Sequence, residues 1–492
     1  MAPEATPRSR ETWALAPVLL GGALLGGALL GTACSPPPTP EAPVVPTTAC
    51  HYDVRLLDDE GTLDVAMRCD GNQMRELVAS EAHTAHHLTV SAQGEPLARE
   101  GARFPLPAGA PAAASYRLSL DAVAYEHADI DVAYKAGPAW MAAVSTFVLR
   151  PQPIDPDTII TLSVETPKGM AFASGLSEID GGRRQLRARE IPYATYAAFG
   201  AFTREELRLP ARGEGEARVE IVTLPGNLLS SPALRRRWLE DAARAIADFW
   251  HGFPVPRACL VIIPTPGHRG IAHGKVVAAG GPTVAIHFGA EADEAALYGD
   301  WILVHELFHL GFPSFAGEGK WLDEGLATYY EPIIRARAGW RSEESLWREL
   351  AGDMPQGLAA VEQEGVDRTK SFKGIYWGGA ILAFMADVAV RKQSGGALGL
   401  EDGLRALLAE GGNATEVWKL RDAIAVIDRH LGAPVLGPLA AAHGATGSPV
   451  PLRQTMRDLG VELLDDGVRL DDTAPLAAIR HAIGDRRPPR ER

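Results

Sequence analysis

Ile302-Leu303-Val304-His305-Glu306-Leu307-Phe308-His309-Leu310 is an apolar run interrupted by three ionisable residues. On a helix, residues four apart project from one face, one turn above the other. His305 and His309 can therefore bind a single Zn²⁺ between them, and Glu306 beside them can reach a water molecule at that ion. Leu303, Val304, Leu307 and Phe308 supply dry surroundings. Burying two imidazoles and a carboxylate there is costly unless something pairs with them. The run thus predicts a helix that carries a metal site.

A second helix is expected from Trp321-Leu322-Asp323-Glu324-Gly325-Leu326-Ala327-Thr328-Tyr329-Tyr330-Glu331. Glu324 lies in its first turn, where it can supply a third ligand. Two histidines and one carboxylate leave a fourth position open, the arrangement of a catalytic rather than a structural zinc site. The carboxylate also offsets part of the ion's charge. Glu318 is an alternative third ligand without the same flanking pattern. Asp323 and Glu331 are candidates to orient a ligand imidazole from behind, or else solvated helix residues.

These two motifs resemble the gluzincin metallopeptidases, most nearly the glycyl-aminopeptidase-like family and more distantly the leucyl/alanyl aminopeptidases. The resemblance implies that Glu324 is the third ligand of one zinc ion and that Glu306 is the general base in peptide hydrolysis. It implies that Tyr376, in Tyr376-Trp377-Gly378-Gly379-Ala380, stabilises the tetrahedral intermediate. It also implies a multidomain α+β chain: an N-terminal antiparallel β domain, a thermolysin-like zinc catalytic domain and a helical C-terminal region. Its specific motifs occupy about residues 305–380, and its outline about 50–480.

Two departures stand out. The loop from His309 to Glu324 is shorter than in the leucyl/alanyl group, which Gly311, Gly317 and Gly319 make feasible. That group also grips the substrate's free amine with a glutamate in a Gly-x-Met-Glu-Asn strand. The comparable region here, Val276–Pro282, contains no carboxylate. Aminopeptidase and endopeptidase action on peptide or protein substrates both stay open. So do a noncatalytic envelope binding protein that keeps the fold, and a zinc hydrolase of nonpeptide amides or esters. Retention of Glu306 weighs against the first, since a structural zinc site has no use for it.

Outward from this centre, the pattern divides the chain. Tyr52–Leu56, Tyr116–Leu120 and Thr158–Val164 alternate as strands between Gly, Pro and Asp turns, so residues 50–215 read as a β-sandwich-like domain. Residues 216–340 form the expected catalytic domain. Its elements are a strand at Ala217–Val222, a helix from Pro232 to Trp250 and strands at Leu260–Ile263 and Thr283–Phe288. A Gly-rich connection, Pro264–Pro282, separates the last two, and one helix follows from Glu294 to Leu310. The Thr283–Phe288 strand is expected to offer its edge to an extended substrate. His287 on it reads as an ordinary strand residue. Residues 341–485 form a helical region completing the site, and 486–492 a disordered tail.

The 492 residues, 46% hydrophobic, suffice for several cores. A formal charge of -14, with no concentrated basic face, argues against nucleic acid as a partner. Residues 1–34 read as a signal peptide: Arg8 and Arg10, an uncharged stretch from Trp13, then Leu30-Gly31-Thr32-Ala33-Cys34. This lipobox-like end suggests that Cys34 is lipidated and anchors the chain to a membrane. An uncleaved anchor and ordinary secretion remain alternatives; all three place the body outside the cytoplasm, and the lipid-anchored reading places it in the bacterial cell envelope, facing the periplasm or exterior. Residues 35–49 form a Pro-rich spacer. A Cys50–Cys69 disulfide suits an oxidising compartment, and Cys259 reads as a buried thiol.

Overall fold

The computed structural model describes residues 49–485, apart from 58, 59, 72, 73, 81, 83 and 316. The expected signal peptide with Cys34, the spacer up to residue 48 and the tail from 486 lie outside the described residues.

The strand Ala49–Leu56 lies inside an eight-stranded sheet. It buries Tyr52, Val54 and Leu56 on one face, as its period-two pattern dictates. It runs antiparallel to Thr62–Cys69 but parallel to Ile159–Glu165, so this sheet is mixed rather than wholly antiparallel. Cys50 and Cys69 face each other in register and are joined by a disulfide. Tyr52 and Tyr116 donate their buried hydroxyls to the carbonyls of Leu149 (2.6 Å) and Phe147 (2.7 Å), pinning the segment that crosses the core. The strand expected at Tyr116–Leu120 ends one residue early. Ser119 accepts the amide N–H of Ala122 and starts a helix, Leu120–His127.

A five-stranded sheet carries the next section. Its order is Thr203–Pro210, Glu216–Thr223, Arg257–Thr265, Thr283–Gly289 and Ile271–Val277. The domain boundary expected at 215/216 therefore falls inside this sheet, because Thr203–Pro210 pairs along its length with Glu216–Thr223. The order also corrects the substrate edge. Thr283–Gly289 is an interior strand, and the free edge belongs to Ile271–Val277, inside the stretch expected to be a connection.

Both faces of this sheet are covered, which explains the unbroken apolar run Ala258–Ile263. Leu260, Ile262, Val284 and Ile286 pack against Trp238, Ile246, Leu303 and Leu307 of the helices Pro232–Trp250 and Ile302–His309. Cys259, Val261, Ile263 and Ala285 face Met141, Tyr196 and Ala198 of a separate four-stranded sheet. Cys259 is buried there as a core thiol.

Helices form most of the remainder. Lys320–Arg337 and Gly379–Gln393 meet through glycines: a Cβ on Gly379 would fall 1.8 Å from the Trp321 carbonyl oxygen. Only hydrogen at that position permits the approach. Behind this contact, Arg391 is fully buried between Asp387 and Glu401 (2.9 and 2.8 Å). Tyr329 donates to Asp387 at 2.8 Å. The paired tyrosines of the second motif thus join a buried ion network rather than the metal site.

Candidate metal centre

The zinc-motif helix begins later than expected. Asp300 breaks the predicted Glu294–Leu310 helix into Glu294–Gly299 and Ile302–His309. Its carboxylate accepts the N–H of Ile302 at 2.8 Å and that of Ile271 at 3.1 Å. One side chain thereby satisfies the first N–H of the helix and ties it to the edge strand. Burial pushes the Asp300 carboxyl up to about 6, while the two N–H groups pull it down.

Three residues converge. His305 Nε2 lies 3.2 Å from Glu324 Oε2, and His309 Nε2 lies 3.6 Å from the same oxygen. The donor atoms of His305, His309 and Glu324 all fall within 4.8 Å of one another. The two imidazoles meet nearly edge to face, at 4.9 Å and 81°. The loop between the motifs closes because Gly317 and Gly319 adopt φ of 76° and 75°, in the left-handed region that favours glycine. Glu318 is exposed and outside this group.

Asp323 stands behind His309, with its Oδ1 2.7 Å from Nδ1. That contact fixes Nδ1 as the protonated nitrogen facing Asp323 and presents Nε2 toward Glu324. Glu331 takes no such role: it is buried against Arg335 at 2.7 Å, one turn further along the same helix. Burial pushes its carboxyl up to about 8 despite that partner. Tyr376 lies parallel to the His305 ring, with centroids 5.6 Å apart, and burial together with the nearby Glu324 carboxylate raises its hydroxyl well above the ordinary phenol range. Phe372 stacks on the Tyr376 ring at 3.9 Å.

The electrostatics fit a cation between these groups. Burial alone would raise the Glu324 carboxyl, but hydrogen bonds from His305 and His309 hold it far below its ordinary range. His309 would be lowered by burial, yet Asp323 and Glu324 raise it well above a free imidazole. His305 is lowered by burial. Its Nδ1 is one of the buried nitrogens without a hydrogen-bond partner. Two imidazoles facing one carboxylate, with a second carboxylate behind, form the donor set that Zn²⁺ takes in an open catalytic site. The residues present fit the ion.

Glu306 sits beside this group, almost wholly buried. Burial pushes its carboxyl up to about 7; His309 and the N–H of Val276 pull the other way. Val276 belongs to the edge strand, whose position depends on Gly274. A Cβ there would lie 2.5 Å from Ile302 Cγ2 and 2.7 Å from Glu306 Cγ. Sequence reasoning missed this contact, although an isolated glycine inside a strand is a recognised mark of close backbone approach. His287 lies away from the group, near Tyr134 and His273 (6.3 and 5.9 Å).

The chain has an N-terminal β-sheet domain followed by a helical C-terminal region, a fold it shares with known solved structures. No protein-family model and no curated protein matches the chain. Among solved structures, it is similar to an aminopeptidase N family protein from Idiomarina loihiensis. That match has a TM-score of 0.64 at 15% identity and covers 84% of this chain and 78% of the other. Legionella pneumophila aminopeptidase A, solved with aspartic acid, matches with a TM-score of 0.51 at 13% identity. It covers 82% of this chain and 49% of that one.

The placement of Asp323 carries a prediction. Asp323→Asn keeps the shape but loses the charge that holds the His309 ring, so zinc affinity should fall by roughly 10–100-fold. Competition with a chromogenic chelator measures it, and an unchanged affinity would remove Asp323 from the site.

Proposed function

We propose that this chain hydrolyses peptide bonds, with one zinc ion held by His305, His309 and Glu324 and with Glu306 as general base. The observation that carries the reading is the convergence of those three donors beside a fourth, buried carboxylate. When bound, zinc polarises a carbonyl and acidifies water at the site. Glu306 takes the water's proton and passes it to the leaving amine. Tyr376 donates its hydroxyl to the oxygen on which negative charge develops. The free edge of Ile271–Val277 offers backbone groups to an extended peptide.

Replacing Tyr376 with Phe should lower kcat by about 10²–10³-fold with zinc content intact, as loss of one such donor does. Wild-type kcat in that variant would leave Tyr376 as packing for His305 alone.

A panel of peptides with free and acetylated amino termini, assayed with and without chelator, tests the function. Chelator-sensitive cleavage supports it. Cleavage of free termini only marks an aminopeptidase, and equal cleavage of both marks an endopeptidase. Zinc without any hydrolysis favours the noncatalytic reading, and turnover of only nonpeptide esters or amides favours the third class.

We further propose that Cys34 is lipidated and holds the body at the envelope. Support comes from the apolar segment before it and from the Cys50–Cys69 disulfide, which suits an oxidising compartment. Cys34→Ser should move the chain from the membrane to the soluble fraction. A variant that stays membrane-bound points to an uncleaved anchor, and a wild type that is already soluble points to ordinary secretion.

A further inference from the structure

A second group of imidazoles gathers in the N-terminal β domain. His86 and His87 close a short 3₁₀ turn, Ala85–His87, while Glu126 and His127 close the helix Leu120–His127. His86 Nε2 and His87 Nε2 lie 2.9 and 2.8 Å from the same oxygen, Glu126 Oε2. His127 Nε2 approaches the other carboxylate oxygen at 3.7 Å. The donor atoms of His86, His87 and Glu126 all fall within 4.8 Å of one another.

Three features separate this group from a casual surface ion pair. Two imidazoles from adjacent residues turn toward one oxygen, although each alone could satisfy its nitrogen in water; their rings lie only 3.9 Å apart. Two of the three imidazoles, His87 and His127, keep side-chain exposures of 14% and 17%, so their rings are held by packing. Glu126 also sits at the carbonyl end of a helix, where a negative side chain is disfavoured and a cation is favoured. His87 and Glu126 also line an open cleft together with Glu60, Asp121, Tyr125 and Lys135.

We propose that His86, His87 and Glu126, with His127 in reserve, form a second metal site that takes an imidazole-preferring divalent ion: Zn²⁺, Ni²⁺ or Cu²⁺. Calcium and magnesium prefer all-oxygen shells and do not suit it. The site is independent of the catalytic reading, since it shares no residue with His305, His309 and Glu324.

The test is zinc content of the full chain after equilibrium dialysis at micromolar free Zn²⁺ and neutral pH, with calcium in excess. The double variant His86→Ala/His87→Ala should hold one zinc fewer than the wild type, with peptidase turnover unchanged. His309→Ala should lose a different equivalent, and the triple variant should lose both. Glu126→Gln keeps both histidines and should bind this zinc at least tenfold more weakly. Zinc should also raise the melting temperature of the wild type by more than that of the double variant. A double variant with wild-type zinc content overturns the proposal, as does an unchanged isotherm for Glu126→Gln. Failure of His309→Ala to lose zinc would instead count against the catalytic site.

Discussion

Glu306→Gln should abolish nearly all turnover, by up to about 10⁴-fold in kcat, while zinc content stays at the wild-type level. The carboxamide matches the carboxylate in size, so the pocket beneath Gly274 and Ile302 stays filled. His305, His309 and Glu324 do not depend on this side chain for their mutual contacts. The substitution removes only the ability to take a proton. A 10⁴-fold loss corresponds to about 5.5 kcal/mol of transition-state stabilisation, too large for a packing change that leaves the metal in place. Steady-state kinetics on a cleaved peptide, beside elemental analysis, reads both quantities. Turnover within a few-fold of wild type would sink the mechanism.

The centre was legible because its signals are local. Four-residue spacing puts His305 and His309 on one helical face regardless of the surrounding fold, and the apolar flanks report burial directly. The second motif could be placed for the same reason, since Asp323 and Glu324 open a helix. What escaped notice depends on contacts between distant segments. Ile271–Val277 resembles a connection because Gly274 and Ala272 lack β-forming side chains. Yet Gly274 is small because another helix presses on it. Asp300 was absorbed into an apolar period, although an aspartate just before such a run is a start signal for a helix. Glu331 shows the converse. Its position one turn after the motif suggests a partner for a ligand, but Arg335 four residues later claims it. The parallel pairing of Ala49–Leu56 with Ile159–Glu165 joins strands more than a hundred residues apart, which no local pattern can announce.

Glu324→Ala should strip the site of zinc, whereas Glu318→Ala should leave zinc content and turnover unchanged. Both carboxylates lie within reach of His309 in the sequence, and the shortened loop is what made the choice between them open. In the structure only Glu324 faces both imidazoles, at 3.2 and 3.6 Å, and it is largely sheltered from water. Its removal takes away one of three donors and the charge that offsets the ion. The loss in affinity should therefore exceed the roughly 10–100-fold expected when only a supporting residue such as Asp323 is changed. Turnover should fall with zinc occupancy and return in part when zinc is added in excess, because Glu306 and both histidines remain. That partial rescue separates a missing ligand from a collapsed fold, which added metal would not restore. Should Glu318→Ala lose zinc while Glu324→Ala keeps it, the third ligand lies in the loop and the second motif only buttresses the site.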